Sequence, residues 1–169
     1  SSKAADDMQA GLIFQLLILL AVANGTPVAA KLILGKTFSQ PLDGGARFLD
    51  GRPLLGPSKT IRGVVLSVLA TAAAAALIGL GAKIGALLGA VAMLGDLSSS
   101  FIKRRMGLPA SAKATGLDQI PESLFPLLAC GLVLPLTIRD VVGATILFFV
   151  GELALSRLLF RLNLRERPY

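Results

Sequence analysis

Long runs without a charged side chain are the feature that most constrains what this chain can fold into. The run from Gly63 to Ala82 holds 20 residues, and the run from Met8 to Ala30 is uncharged as well. A helix of about 20 apolar residues crosses the hydrocarbon core of a bilayer, which is about 30 Å thick. Hydrophobic residues make up 54% of the chain and charged residues only 16%, against about 25% charged in soluble domains. The sequence therefore predicts a membrane protein.

Five such runs predict an all-α integral membrane protein with five transmembrane helices. The third run, Ile84 to Gly95, has only 12 residues, so it spans a bilayer only if its helix continues past Asp96 to Ile102. Asn24 and Pro27, near the end of the first run, predict a break in that helix or a membrane interface. We expect one membrane domain over residues 1–169, with helices at about 8–30, 63–82, 84–102, 121–138 and 141–160 and long loops at about 31–62 and 103–120.

The distribution of basic residues predicts how the chain is oriented. All but three of the 17 Lys and Arg residues lie in the two long loops or towards the C-terminal end, the exceptions being Lys3, Lys83 and Arg139. Cytoplasmic segments of membrane proteins are enriched in Lys and Arg. We therefore expect a multi-pass protein of the cell membrane with its N-terminus outside. Both long loops and the C-terminus then lie on the cytoplasmic side, where we also expect the active site.

The absence of histidine and the presence of a single cysteine, Cys130, exclude several kinds of site. One cysteine cannot form an internal disulfide. With one cysteine and no histidine, the chain cannot build a zinc site from these residues. The lack of histidine also excludes a Ser-His-Asp triad. Oxygen ligands remain for any metal ion, so Mg²⁺ is the cofactor that we expect.

A polar stripe at the end of the third helix is the first candidate site. Asp96, Ser99, Ser100 and Lys103 follow one another at helical spacing and so share one face. A carboxylate, two hydroxyls and an ammonium suit a metal-bound ligand that is rich in phosphate. The alternative is that the basic triplet Lys103 to Arg105 only anchors the helix at the membrane surface, with Asp96 as its ion-pair partner. An ionisable group at membrane depth is costly and usually functional, which favours a site.

The loop before the second helix is the second candidate. It runs from Asp50 to Gly63, follows Asp43-Gly44-Gly45, and holds glycines whose backbone can approach an anion. Three cations in it can neutralise a polyphosphate: Arg52, Lys59 and Arg62. A P-loop is excluded, because Gly56 is followed by Pro-Ser-Lys-Thr rather than by Lys-Thr and no strand precedes it. The alternative is a surface loop with solvated charges.

The segment before the fourth helix, Leu117 to Glu122, is the third candidate. Pro121 suits the first turn of a helix, which makes Asp118 a possible N-cap. Asp118 also enters the fourth helix on the side where Asp96 leaves the third. Two carboxylates brought together there can hold one or two Mg²⁺ ions, which is the functional alternative.

Together these segments resemble the CDP-archaeol synthase family, which is related to the CTP-dependent phosphatidate cytidylyltransferases. The similarity covers nearly the whole chain. It rests on Asp50-Gly51-Arg52-Pro53-Leu54-Leu55-Gly56-Pro57 with Lys59-Thr60 and Arg62-Gly63, on Gly95-Asp96 with Ser100-Phe101-Ile102-Lys103-Arg104-Arg105, on Leu117-Asp118-Gln119, and on Asn24 and Pro27. Ser100 to Arg104 fits the Ser-x-x-Lys-Arg start of the broader cytidylyltransferase signature. Pro109-Ala110 stands where a Lys-Asp pair is expected, which favours the archaeal branch.

The resemblance implies a reaction in which CTP and 2,3-di-O-geranylgeranyl-glycerol 1-phosphate give CDP-archaeol and pyrophosphate, with Mg²⁺ as cofactor. The implied partners are CTP, an isoprenoid glycerol phosphate lipid and the membrane, without nucleic acid; the oligomeric state is left open. We expect Asp96 and Asp118 to hold the metal and, with Lys103, to form the catalytic set. The backbone around Leu55, Gly56 and Thr60 is the expected seat of cytosine. The expected substrate-binding residues are Asn24, Arg52, Leu55, Gly56, Lys59, Thr60, Arg62, Ser99, Ser100, Arg104 and Arg105.

Three other functions stay open at this point. A diacyl phosphatidate cytidylyltransferase would use the same chemistry on a different lipid. A small ion or lipid transporter would use Asp96 as an ion relay, and a scaffold for anionic lipid would need only the basic loops. Glu152 lies outside these motifs, and we expect it to make a polar contact between helices rather than to bind a lipid head group.

Overall fold

Five helices make up the regular structure of the described chain, which confirms the predicted all-α class. The computed structural model describes the backbone of residues 2–110, 112 and 114–161 and the side chains of 9–110, 112 and 114–158. The helices are α1 (Ser2–Leu34), α2 (Ile61–Leu77), α3 (Ala82–Arg105), α4 (Gln119–Cys130) and α5 (Ile138–Arg161). Within the described part of the chain, three segments are long and apolar enough to cross a membrane, namely Gln9–Leu34, Ala82–Arg105 and Ile138–Leu158. The helix α2 is apolar but shorter.

The first helix passes without interruption through the segment where a break or an interface was predicted. Pro27 has no N–H, so the carbonyl of Ala23, four residues earlier, loses its partner in the helix. The hydroxyl of Ser67 on α2 donates to this carbonyl at 2.7 Å. The hydroxyl of Thr26 donates to the carbonyl of Val22 at 2.6 Å. A hydrogen bond from the neighbouring helix therefore allows α1 to continue past its proline.

The fourth helix ends at Cys130, eight residues before the predicted end at residue 138. Gly131 follows as the C-cap, and glycine is a poor helix former. Pro135 would collide with the carbonyl of Gly131 if the helix went on. The twelve residues of α4 rise about 18 Å, which is less than the thickness of a bilayer core. The predicted fourth span over 121–138 is thus a short helix followed by an irregular segment.

The third helix continues through Asp96 to Arg105, as its predicted span required. Glycines allow its neighbours to approach closely. A Cβ atom on Gly85 would lie 2.4 Å from the carbonyl oxygen of Thr71 on α2, and one on Gly95 would lie 2.2 Å from that of Pro121 on α4. The contact at Gly95 brings the start of α4 against the residue that precedes Asp96. Close packing through small residues, which is common between membrane helices, therefore shapes the site.

The apolar core is shared by all five helices. Its buried residues are Leu16, Leu19, Leu20 and Ala23 of α1, Ala75 of α2, Leu88 and Ala92 of α3, Leu127 and Cys130 of α4, and Val141, Ala144 and Phe148 of α5. At one end of the bundle, the amide of Gln9 donates to Asp140 at 2.6 Å and ties α1 to the start of α5. The polar motifs of the sequence lie at the other end, where α3 finishes.

The loop between α1 and α2 folds back on itself before α2 begins. Isolated antiparallel bridges join Pro41 to Thr60 and Arg47 to Pro53. The hydroxyl of Thr60 accepts the N–H of Gly63 at 3.1 Å and caps α2. This fold carries Lys59, the residue before the cap, to the side of α3.

Candidate active site

An ion pair between Lys59 and Asp96 joins the folded loop to α3. The ammonium nitrogen of Lys59 lies 2.7 Å from one carboxylate oxygen of Asp96 and 2.6 Å from the other. Both side chains are about one-fifth exposed. The two motifs that the sequence identified separately therefore meet at this pair, 37 residues apart in the chain.

A second ion pair, between Lys103 and Asp118, joins α3 to the start of α4. The ammonium nitrogen of Lys103 lies 2.6 Å from Asp118 Oδ1 and donates to the carbonyl of Ala112 at 3.0 Å. Asp118 Oδ2 accepts the N–H of Ala114 at 2.9 Å. Asp118 stands at the N-cap position of α4 without making a side-chain capping bond. Asp118 thus occupies the predicted N-cap position but does not cap α4, and its carboxylate is engaged in an ion pair instead.

The two serines of the predicted stripe are buried between these ion pairs along α3. The hydroxyl of Ser99 donates to the carbonyl of Leu117 at 2.6 Å and lies 3.0 Å from the carbonyl of Gly95. Ser100 is 2% exposed. Ser99 therefore fixes the segment that leads to Asp118, so its hydroxyl is already committed to a backbone partner.

A cavity of about 440 Å³ opens between α1, α2 and α3, and we call it the α1–α2 cavity. The Lys59–Asp96 pair forms part of its wall. Apolar side chains form another part, among them Val64, Met93 and Leu97. The cationic side chains on its lining are Lys31, Lys36, Lys59 and Arg62. Sequence analysis did not single out Lys31 and Lys36, because their only signal was their place in a basic segment.

A second cavity, of about 260 Å³, lies on the other side of Pro57, and we call it the Arg104 cavity. Arg52 and Arg104 line it together with Gly56 and the segment from Gly107 to Ala110. Arg104 is 4% exposed, and its Nε atom has no hydrogen-bond partner among the described residues. A buried guanidinium with a free donor at a cavity wall is suited to an anion. Arg52 and Arg104, which the sequence predicted to bind substrate, therefore lie together on the wall of one cavity.

Arg105, predicted to hold phosphate, is instead engaged by the loop between α1 and α2. Its guanidinium lies 2.5 Å from Asp50 Oδ1 and donates to the carbonyl of Pro53 at 2.5 Å. It also lies over the rings of Phe48 and Phe101, with 4.7 and 5.0 Å from Cζ to the ring centroids. These contacts anchor the loop to the end of α3.

Two other predicted residues, Arg62 and Thr60, hold the entry to α2. Arg62 donates to the backbone carbonyls of Thr37 and Gly35 and so ties the end of α1 to the start of α2. Thr60 caps α2 with its hydroxyl, as described above. Asn24 lies on α1, and its amide nitrogen and oxygen are buried without a hydrogen-bond partner in the part of the chain that the structure describes. Among the described residues, Asn24 is thus a predicted residue whose whole side-chain amide remains without a partner.

The expected seat of cytosine has lost two of its donors to Asp43. Asp43 Oδ2 accepts the N–H of Leu55 at 2.9 Å and that of Gly56 at 3.1 Å, and Oδ1 accepts the N–H of Gly45 at 3.0 Å. Partial burial raises the pKa of Asp43, but these three backbone hydrogen bonds outweigh it and hold the pKa below its ordinary value. Asp43 is therefore ionised at neutral pH. The sequence showed the residue beside the glycine loop without indicating this role.

The chemistry of the two aspartates fits Mg²⁺. Among the described residues, no three acidic, histidine or cysteine side chains converge on one point as a ready-made metal cage. Mg²⁺ is commonly held by one or two carboxylates together with waters and substrate phosphates, so a complete protein cage is not required. A lysine lies 2.6 Å from each of the two carboxylates, so binding of Mg²⁺ there requires each lysine to give up its aspartate.

Glu152 makes the expected contact between helices. Its side chain is hydrogen-bonded to that of Glu122, so it links α5 to α4. Glu122 is buried, at 7% exposure, close to the point where α4 meets Gly95. This carboxyl pair joins the first turn of α4 to α5.

These features define a multi-pass, all-α membrane protein with a cationic site at one end of α3. A family model described as CarS-like, CDP-archaeol synthase, matches residues 80–169. A CDP-archaeol synthase of Pyrobaculum calidifontis is 33% identical over 93% of this chain and 98% of that protein. One of Hyperthermus butylicus is 44% identical over 66% of this chain and 68% of that protein. The chain belongs to the CDP-archaeol synthase family.

A solved structure supports the same assignment. It is described as an intramembrane enzyme for archaeal membrane lipids biosynthesis, and it is similar to this chain with a TM-score of 0.73 and 32% sequence identity. The match covers 84% of this chain and 90% of that one. The chain thus shares the fold of an intramembrane enzyme as well as the sequence of the family.

Proposed function

We propose that this chain carries out the CDP-archaeol synthase reaction at the end of α3, transferring CMP from CTP to 2,3-di-O-geranylgeranyl-glycerol 1-phosphate. The observation that carries the proposal is the pair of lysine–aspartate contacts, Lys59 with Asp96 and Lys103 with Asp118. The first pair lines the α1–α2 cavity with further cations, and Arg104, the residue after Lys103, lines the second cavity. The chain belongs to the family over nearly all of its length.

The reaction needs charge stabilisation more than proton transfer. A phosphate oxygen of the lipid attacks the α-phosphorus of CTP and forms a new P–O–P bond. The bond between the α- and β-phosphates breaks, and its electron pair leaves with pyrophosphate. Because the lipid phosphate is already an anion, no general base is required, which agrees with a chain that has no histidine. Positioning and neutralisation of the phosphates are therefore the main tasks of the protein.

The two cavities suit the two substrates. The α1–α2 cavity has four cations beside apolar side chains, a combination that fits a phosphate head group followed by hydrocarbon chains. The Arg104 cavity has two guanidinium groups and a polar backbone, which fits phosphates of the nucleotide. Pro57 lines both cavities, so substrates bound in them would meet near this residue and Lys59. The buried amide of Asn24 on α1, which has no partner among the described residues, is a further candidate for contact with the lipid.

We assign the metal to Asp96 and Asp118, which supply the carboxylate oxygens that Mg²⁺ prefers. When bound there, Mg²⁺ would neutralise charge on the phosphate oxygens of CTP and pyrophosphate. Lys59 and Lys103 would then be free to donate to phosphate oxygens instead of to the aspartates. Arg104 keeps its role as a phosphate ligand, whereas Arg105 acts as an anchor of the loop because Asp50 and the backbone already engage it.

We further propose that both long loops and the C-terminus face the cytoplasm and that the N-terminus lies outside. The distribution of basic residues supports this orientation. It also puts the site on the side of the membrane where CTP is available. The short α4 then crosses together with the irregular segment that follows it.

Release of pyrophosphate by the purified chain in detergent tests the proposal. The reaction contains CTP, Mg²⁺ and either geranylgeranylated glycerol 1-phosphate or a diacyl phosphatidate, with ATP in place of CTP as a control. We expect release that depends on CTP and on the ether lipid. Release with phosphatidate alone would assign the chain to the diacyl branch. No release with any pair, from protein that still unfolds cooperatively, would contradict the enzymatic function and favour transport or lipid binding.

A further inference from the structure

Asp43 lies in the loop between α1 and α2 and does not belong to the proposed site. Its side chain makes more hydrogen bonds to the backbone than that of any other residue of this loop. Its carboxylate accepts three N–H groups, from Gly45, Leu55 and Gly56, at 2.9 to 3.1 Å. The donors at Leu55 and Gly56 lie 12 and 13 residues along the chain from Asp43. The carboxylate therefore joins the early part of the loop to the residues near its end.

The turn that Asp43 holds is the one that carries Lys59. The N–H of Lys59 donates to the carbonyl of Gly56 at 3.2 Å, which forms the turn from 56 to 59. The N–H of Leu42 donates to the carbonyl of Lys59 at 2.7 Å. Leu42 and Asp43 thus hold both ends of this turn, one through its backbone and the other through its carboxylate.

The same turn forms a wall of the Arg104 cavity. Gly56 is buried and has a φ of +94°, a conformation that residues with a side chain rarely adopt. A Cβ atom on Gly56 would lie 3.8 Å from Arg104 Cδ. Holding the N–H of Gly56 therefore fixes the backbone next to Arg104 as well as the approach of Lys59 to Asp96.

We propose that Asp43 is a positioning residue for the reaction, which fixes residues 55–59 so that Lys59 reaches Asp96 and Gly56 stays beside Arg104. The inference rests on the proposed function, because it takes Lys59 as a residue of the site. An aspartate suits the task, since its two oxygens can accept three N–H groups at once. Asparagine keeps one acceptor oxygen and adds an amino group that cannot accept, and alanine keeps neither.

A double-mutant cycle on turnover tests this role. We expect Asp43→Ala to lower kcat by about tenfold when Lys59 is present, and by clearly less in a Lys59→Gln background, because only the part of the effect that passes through Gly56 and Arg104 remains there. Asp43→Asn is expected to retain part of the activity that Asp43→Ala loses. The matched control is Asp140→Asn, which also removes a carboxylate that accepts three hydrogen bonds, from Thr137 and Gln9, at the other end of the bundle. It should leave kcat unchanged in both backgrounds.

Hydrogen exchange provides a second measurement that does not depend on activity. The amides of Leu55, Gly56 and Lys59 should exchange slowly in the wild-type chain and at least about tenfold faster in Asp43→Ala, with exchange in α3 unchanged. Equal losses of kcat in the two backgrounds, or unchanged exchange at residues 55–59, would overturn the role of Asp43. A wild-type chain that folds but releases no pyrophosphate would instead overturn the proposed function, whatever the exchange data show.

Discussion

At the scale of single residues, the site is organised by cations that already face the carboxylates. Lys59 and Lys103 each contact an aspartate at 2.6 Å, and the second pair is more buried than the first. A charge placed in such surroundings is costly unless it has a partner, so pairing a lysine with each aspartate offsets the cost of burying both charges. The proposed metal ion would take over this partnership when the nucleotide brings it.

The substitution Asp96→Asn should abolish most of the activity. It keeps the size of the side chain but removes its negative charge. This charge pairs with Lys59, and we propose that it also binds Mg²⁺. We expect kcat to fall by at least about 10²-fold, the scale of losing one strong electrostatic stabiliser. Pyrophosphate release from a folded variant measures it. Turnover near the wild-type value would contradict the metal assignment, and Asp140→Asn, distant from the site, provides the control.

The substitution Lys59→Gln should separate metal binding from turnover. Without its lysine, Asp96 keeps a negative charge with no partner, so it should attract a divalent cation more strongly. We expect Mn²⁺ to bind about tenfold more tightly in the absence of nucleotide, a difference of about 1.4 kcal/mol, while kcat falls.

Titration of free Mn²⁺ by electron paramagnetic resonance measures this affinity. Lys83→Gln is the matched control, because Lys83 is an exposed lysine at the start of α3. An unchanged affinity in Lys59→Gln would show that Asp96 is not a metal ligand.

At the scale of the helices, the site depends on how closely α3 and α4 approach. Gly95 directly precedes Asp96, and the backbone of Pro121 and Glu122 packs against it. The hydroxyl of Ser99 then ties Leu117 to α3, one residue before Asp118. These two contacts bring Asp118 against α3, where it pairs with Lys103.

The substitution Gly95→Ala should therefore damage both stability and activity. The new Cβ atom would lie 2.2 Å from the carbonyl oxygen of Pro121, a backbone atom, so the two helices must move apart. We expect an increase of about 1–3 kcal/mol in the free energy of the folded state, as overpacking typically costs, and a loss of turnover.

Thermal unfolding in detergent and pyrophosphate release measure these two effects. Gly143→Ala in α5 is the matched control, because a Cβ atom there meets nothing within 4 Å. If Gly95→Ala and Gly143→Ala behave alike, α4 does not need this contact to form the site.

At the scale of the whole molecule, the polar motifs gather at one end of an apolar bundle. The loop between α1 and α2, the end of α3 and the start of α4 meet there, while the turn at Lys83 lies at the other end of α3. The catalytic site that we propose at this end of the bundle would let a water-soluble nucleotide and a membrane lipid reach the same residues.

Cysteine labelling tests the proposed orientation of this bundle. Cys130 is buried, so an introduced cysteine should provide nearly all of the reaction with a membrane-impermeant maleimide. We expect Lys83→Cys to react in intact cells and Leu49→Cys, at a position 97% exposed in the loop, to react only after the membrane is permeabilised. The reverse pattern would invert the topology and place the site outside.

Properties that depend only on neighbouring residues in the chain were predicted from the sequence. The uncharged runs predicted five helices, and the need to lengthen the third run predicted that α3 passes through Asp96. The spacing of Asp96, Ser99, Ser100 and Lys103 predicted one face of that helix. Hydropathy and helical periodicity are local, so they can be read without knowing which segments meet.

The partners of the charged side chains were decided by the tertiary structure. Lys59 with Asp96 and Asp43 with Leu55 and Gly56 are contacts across loops, and no pattern in the sequence specifies how such a loop folds. Arg105 carried the same signal as Arg104, yet its contacts with Asp50 and two aromatic rings commit it to the loop. A formal charge is a property of one residue, whereas its partner depends on packing, and the packing here is set by helix contacts as close as that at Gly95.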